Sequence, residues 1–121
     1  MLFRSAIFGA TGYTGEELVR RLAKHPLVEI VALTSRQAAG KMASDIFPWL
    51  DRRSALGKLQ FEAPDVDSLK GRAEVAFLAL PHGVAAEQAA RLLEAGIRVI
   101  DLSADFRIKD LQVYEIGRAH V

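Results

Sequence analysis

Three evenly spaced glycines, Gly9-Ala10-Thr11-Gly12-Tyr13-Thr14-Gly15, constrain this chain more than any other feature because of what flanks them. Before them runs Ala6-Ile7-Phe8, a short apolar segment of the kind that forms a buried strand. After them, residues 16–25 read as an amphipathic helix. Leu18, Val19, Leu22 and Ala23 share one face, while Glu17, Arg20, Arg21 and Lys24 fall elsewhere. Glu16–Arg20 and Glu17–Arg21 are spaced as i,i+4 ion pairs in the favourable order. Acids at the start and bases at the end suit the helix dipole, and Pro26 stops the helix. A β-branched run over 28–33 completes strand, turn, helix, strand, the repeating unit of a parallel sheet.

The pattern recurs further on. Residues 74–80 form a continuous apolar run suited to a central strand. An alanine- and leucine-rich helix is predicted over 84–95, with Gly96 at the position of a C-terminal capping glycine. A further strand follows over 97–102. The middle of the chain is less regular. Residues 38–41 look like a loop, Phe47, Trp49 and Leu50 are expected to pack rather than to face a ligand, and residues 58–62 are predicted to be a short edge strand. The expected fold is α/β: a Rossmann-like, doubly wound parallel sheet in a single domain over residues 1–114.

Composition narrows the function. The 121 residues are 50% hydrophobic and 26% charged, an ordinary globular balance. A net charge of +1 argues against nucleic-acid binding, because a broad cationic face would shift that balance. With no cysteine, the chain has no disulfide, no thiolate metal site and no cysteine nucleophile. No apolar run approaches the roughly 18 residues of a membrane span, and the first residues lack the pattern of a signal peptide. The expectation is a cytoplasmic protein.

In a strand–turn–helix setting each glycine has a physical task. The first permits a tight turn, the second lets backbone approach a pyrophosphate, and the third lets helix and strand pack closely. The helix N-terminus then offers unpaired N–H groups to the phosphates. The spacing G-x-x-G-x-x-G is one residue longer than the commoner form, and the alternative is a glycine-rich turn with no ligand. The end of the second strand reads Thr34-Ser35-Arg36, with no acid to bind the ribose hydroxyls of NAD. Ser35 and Arg36, assisted by Lys41, are expected to hold the 2′-phosphate of NADP; otherwise they are solvated loop residues. Pro81 and His82 follow a strand end, where ligands bind in open α/β sheets, and Ser103 and Asp105 follow the next. For His82, Ser103 and Asp105 a local structural role remains the competing reading.

Three segments, taken together, carry a more specific signal: Gly9 to Gly15 with Glu16-Glu17-Leu18, then Phe77-Leu78-Ala79-Leu80-Pro81-His82-Gly83, then Val99-Ile100-Asp101-Leu102-Ser103-Ala104-Asp105-Phe106-Arg107. In this order the chain resembles the N-acetyl-gamma-glutamyl-phosphate reductases, a branch of the semialdehyde dehydrogenase family, over about residues 3–114. The resemblance implies an NADPH-dependent reductive dephosphorylation of a small acyl phosphate in arginine biosynthesis, performed by a homo-oligomeric enzyme. A cysteine in the family's second domain attacks the acyl phosphate, NADPH gives hydride to the thioester, and a histidine is the acid/base. The thioester splits one difficult step into two easier ones. Matched by motif, Gly9, Thr11, Gly12, Tyr13, Thr14 and Gly15 would cradle the pyrophosphate. Ser35 and Arg36 would hold the 2′-phosphate. Pro81, His82 and Ser103 would line the nicotinamide side. The nucleophile motif and the catalytic histidine region are absent from this chain, so it is expected to be the cofactor-binding portion of a longer enzyme. Residues 115–121 depart from the family's continuation and are expected to be an artefactual tail. Three alternatives stay open: an aspartate-semialdehyde dehydrogenase-like enzyme, an enzyme acting on N-acetyl-aminoadipyl phosphate, and a standalone dinucleotide sensor.

Overall fold

The computed structural model describes residues 2–102. Four parallel strands, β1 (Phe3–Phe8), β2 (Val28–Thr34), β3 (Val75–Leu78) and β4 (Arg98–Asp101), lie in the order β2-β1-β3-β4. Helix α1 (Tyr13–Leu22) links β1 to β2, and α4 (His82–Glu94) links β3 to β4. Two single-turn helices, α2 (Ala43–Ile46) and α3 (Val66–Leu69), lie in the long connection between β2 and β3.

The alternation of side chains along each strand divides the core into two layers. Ala6 and Phe8 of β1 face one way with Leu78 of β3, Val99 of β4, and Ala85 and Leu92 of α4. Ile7 faces the other way with Leu33 of β2, Val19 of α1, and Phe47 and Phe61 of the long connection. One layer therefore holds α4 and the other holds α1, which is the doubly wound arrangement expected from the sequence. In β2, Ile30 pairs with Ser5 and Ala32 with Ala6, so Val31 is a bulge residue. Val31 and Ala32 consequently contact the same layer. The Arg72 guanidinium donates to the Val31 carbonyl at 3.4 Å and to both carboxylate oxygens of Glu62, at 2.7 and 3.3 Å. The hydrogen bond to Glu62 raises the Arg72 pKa above its ordinary value, desolvation works against that rise, and the Glu62 charge adds to it.

Several element boundaries differ from the sequence expectation. Helix α1 spans Tyr13–Leu22 rather than 16–25, starting one turn earlier. Gly15 lies inside its first turn, where only a residue without a side chain clears the Gly9 carbonyl. The helix ends sooner because residue 25 precedes Pro26, a place where helical backbone is disfavoured. Helix α4 likewise starts at His82, directly after Pro81, rather than at residue 84. Residues 58–62 do not form a strand. They make only two isolated bridges, Gln60 with Met42 and Glu62 with Thr34. Their backbone turns instead to close the loop after β2: Gly40 N donates to Phe61 O at 2.8 Å and Phe61 N donates to Lys41 O at 2.8 Å. As expected, Phe47, Trp49 and Leu50 pack in the α1 layer, with the Phe47 and Trp49 rings stacked at 5.4 Å.

Candidate dinucleotide site

Connections leave β1 and β3 toward opposite sides of the sheet, so a crevice opens at their carboxyl ends, the place where open α/β sheets bind ligands. The glycine turn lies there, between β1 and α1. Gly9 adopts φ +76°, the left-handed region that favours glycine. Its amide and that of Ala10 donate to the Thr34 carbonyl at 3.1 and 3.3 Å, which ties the turn to the end of β2. On the other side, Ala79 N donates to Phe8 O at 2.9 Å and brings the chain after β3 against the turn.

The three glycines are not equivalent. A Cβ on Gly9 would lie 2.3 Å from the Ala79 carbonyl oxygen, and one on Gly15 would lie 2.1 Å from the Gly9 carbonyl oxygen. Both glycines are therefore required by the protein's own packing. Gly12 is not. Its φ of −73° suits any residue, and a Cβ there would meet nothing closer than the Gly9 oxygen at 3.5 Å. A side chain at Gly12 would enter open space directly before α1. A pyrophosphate that binds at a helix start needs such room to approach backbone. Gly12 also caps α1 without any side-chain hydrogen bond. The amides of Tyr13, Thr14 and Gly15 begin the helix and have no acceptor within it. The donor set, neutral N–H groups at a helix start beside an open backbone, is chemically matched to a diphosphate.

The remaining expected residues divide by placement. Tyr13 is 96% exposed, and with Thr14, Leu18 and Leu102 it borders an open hollow of about 450 Å3 beside α1. Ser35 is nearly buried and follows β2 directly. Its hydroxyl accepts from the Ala38 amide at 3.3 Å and lies 3.2 Å from the Thr11 hydroxyl. Arg36, next in the chain, is exposed. Pro81 precedes α4 and His82 opens it, just after Leu80, for which the missing side chain of Gly9 leaves room. Ser103, Asp105 and residues 115–121 lie outside the described residues. Among the described residues, no group of three or more potential ligands could hold a metal ion, and no helix is long and apolar enough to cross a membrane.

Sequence reasoning missed the link between Thr11 and Ser35, and no local pattern could have shown it, since it joins positions 24 residues apart. It also missed Glu16, which accepts a hydrogen bond from the Trp49 indole at 2.9 Å, while Arg20 stacks over that ring at 4.6 Å. These contacts fasten the long connection to α1.

A sequence profile described as "Semialdehyde dehydrogenase, NAD binding domain" matches residues 4–120. The chain belongs to that family. Among curated relatives, N-acetyl-gamma-glutamyl-phosphate reductase of Neisseria gonorrhoeae (strain ATCC 700825 / FA 1090) is 52% identical over 112 residues, covering 93% of this chain and 31% of the relative. The protein of the same name from Bordetella pertussis (strain Tohama I / ATCC BAA-589 / NCTC 13251) is 53% identical over 109 residues, covering 90% of this chain and 30% of the relative. This semialdehyde dehydrogenase domain thus spans about a third of the length of those relatives. Among solved structures, aspartate semialdehyde dehydrogenase with NADP from Candida albicans matches with a TM-score of 0.70 and 27% identity, covering 88% of this chain and 31% of that one.

Proposed function

We propose that this domain is the NADP-binding part of an N-acetyl-gamma-glutamyl-phosphate reductase, which reduces N-acetyl-L-glutamyl 5-phosphate to the 5-semialdehyde. The observation that carries dinucleotide binding is Gly12, the one glycine of the turn that the fold itself does not require. Identity above 50% to reductases of that name supports the substrate.

NADP is favoured over NAD by the end of β2. No carboxylate occupies positions 34–38, and among the described residues Arg36 has no hydrogen bond or ion pair of its own. A free guanidinium beside the ribose is suited to a phosphate, and a hydrogen bond to a charged group contributes about 1.5–3 kcal/mol. Bound NADPH would supply a hydride. The chain's own residues would do the rest: the turn from Gly9 to Gly15 holds the pyrophosphate, Ser35 and Arg36 clamp the 2′-phosphate, and Pro81, His82 and Ser103 border the nicotinamide. With no cysteine, the domain offers position and electrostatics but no thiol nucleophile. The proposal places the dinucleotide domain in residues 1–114 of a cytoplasmic homo-oligomer.

A chimera tests this reading. This chain replaces the matching segment of the Neisseria gonorrhoeae relative, and turnover of N-acetylglutamyl phosphate is measured with NADPH and with NADH. NADPH-dependent turnover is expected, whereas the 121-residue chain alone is expected to give none. Arg36→Ala in the chimera should lower kcat/KM for NADPH by roughly tenfold, about 1.4 kcal/mol, and leave NADH use nearly unchanged. A folded chimera without turnover sinks the substrate reading, and equal losses with both cofactors remove the 2′-phosphate assignment.

A further inference from the structure

The contact between Thr11 and Ser35 joins the two loops that NADP would have to engage together. Thr11 lies in the glycine turn and Ser35 opens the loop that carries Arg36. Ser35 is only 7% exposed, and its surroundings fix it closely. Its amide donates to the Glu62 carbonyl at 3.0 Å, its hydroxyl oxygen accepts from the Ala38 amide at 3.3 Å, and the Thr11 hydroxyl lies at 3.2 Å.

A hydroxyl has one proton and two lone pairs. The Ala38 amide uses one of the Ser35 lone pairs. Thr11 then has two options. It can donate to the second lone pair, which leaves the Ser35 proton available to a ligand, or it can accept that proton. A phosphate dianion can only accept, so only the first polarity leaves Ser35 useful to it. In the second polarity the anion would face a lone pair. With both lone pairs engaged, by the Ala38 amide and the Thr11 hydroxyl, the Ser35 proton is held in the one direction left to it, whereas without the Thr11 hydroxyl it rotates freely.

We propose that Thr11 is a positioning residue for NADP selectivity: by donating to the Ser35 hydroxyl beside the Ala38 amide, it orients the Ser35 proton toward the 2′-phosphate and ties the Arg36 loop to the glycine turn. This rests on the NADP reading given above. NADH, which lacks that phosphate, gains little from the arrangement.

Calorimetric titration of the 121-residue chain with NADPH and with NADH tests it. Thr11→Val keeps the size of the side chain but removes the hydroxyl. It should weaken NADPH binding about three- to tenfold more than it weakens NADH binding, the range for one ordinary hydrogen bond. Thr11→Ala, which adds no new methyl group, should give the same altered ratio, and Thr11→Ser should restore the wild-type ratio. Equal losses for both cofactors, or no loss for either, would overturn the proposal while leaving dinucleotide binding in place. A wild-type chain that binds neither nucleotide would instead overturn the cofactor reading from which the proposal starts. Equal wild-type affinity for both would remove the NADP preference, and the role of Thr11 with it.

Discussion

Two turns at the carboxyl edge of the sheet lead from a strand into a helix, and they are built in opposite ways. The turn between β1 and α1 is crowded. Gly9 and Gly15 are pressed against backbone, the turn is bonded to the end of β2, and Ala79, just after β3, is bonded to Phe8 at the end of β1. The turn between β3 and α4 is open. Pro81 caps the helix with extended backbone, and a Cβ on Gly83 would meet nothing within 4 Å. Within the crowded turn, Gly12 is the glycine at which space has been left. A site for a diphosphate requires this combination, because backbone donors must stay in place while the anion comes close. The open turn has no comparable constraint, which suits a place where a ligand is bordered rather than gripped.

Replacing the crowded glycines should give the largest effects. Gly9→Ala adds a side chain in left-handed backbone, a cost of about 1–2 kcal/mol, and drives it into the Ala79 carbonyl, where overpacking costs about 1–3 kcal/mol. Gly15→Ala meets the Gly9 carbonyl at an even shorter distance. Both variants should lose several kcal/mol in urea denaturation, a large part of the roughly 5–15 kcal/mol that stabilises a typical domain. Melts that match wild type would mean that the turn is not crowded in solution.

Gly12→Thr separates folding from binding. Threonine caps helices about as well as glycine, so stability should stay within about 1 kcal/mol. Nucleotide affinity should nevertheless fall by tenfold or more, about 1.4 kcal/mol, because the side chain fills the cradle. Unaltered NADPH titrations of this variant would show that the space at Gly12 is not used. The smallest effect belongs to the open turn. Gly83→Ala should raise stability by about 0.5 kcal/mol through helix propensity, with NADPH affinity unchanged. If its affinity drops as far as that of the Gly12 variant, both helix starts hold phosphate and the contrast between them is lost.

Much of the scaffold was legible because its signals are local. The apolar run at 6–8, the i,i+4 pairs Glu16–Arg20 and Glu17–Arg21, and Gly96 after α4 all appear in the structure as the sequence implies: the ion pairs close to 3.7 and 3.0 Å, and Gly96 takes a positive φ of 80°. The long connection was not legible. Residues 58–62 alternate enough to resemble a strand, yet their backbone partners are the loop at 40–42 and the end of β2, so no ladder forms. In the candidate site, the identities of Gly12, Ser35 and Arg36 could be read directly, whereas the different duties of the three glycines could not.

The sequence by itself determined a parallel α/β sheet with a helix start aimed at its carboxyl edge, because hydrophobic period, turn glycines and capping charges act within a few residues of one another. Only the tertiary structure decided that the long connection folds back onto α1 through Trp49 and Glu16, that Ser35 is enclosed and bonded to Thr11, and that of the three turn glycines only Gly12 has room for a side chain. Those outcomes depend on distances between segments far apart in the chain. Packing sets such distances, and no short stretch of sequence encodes them.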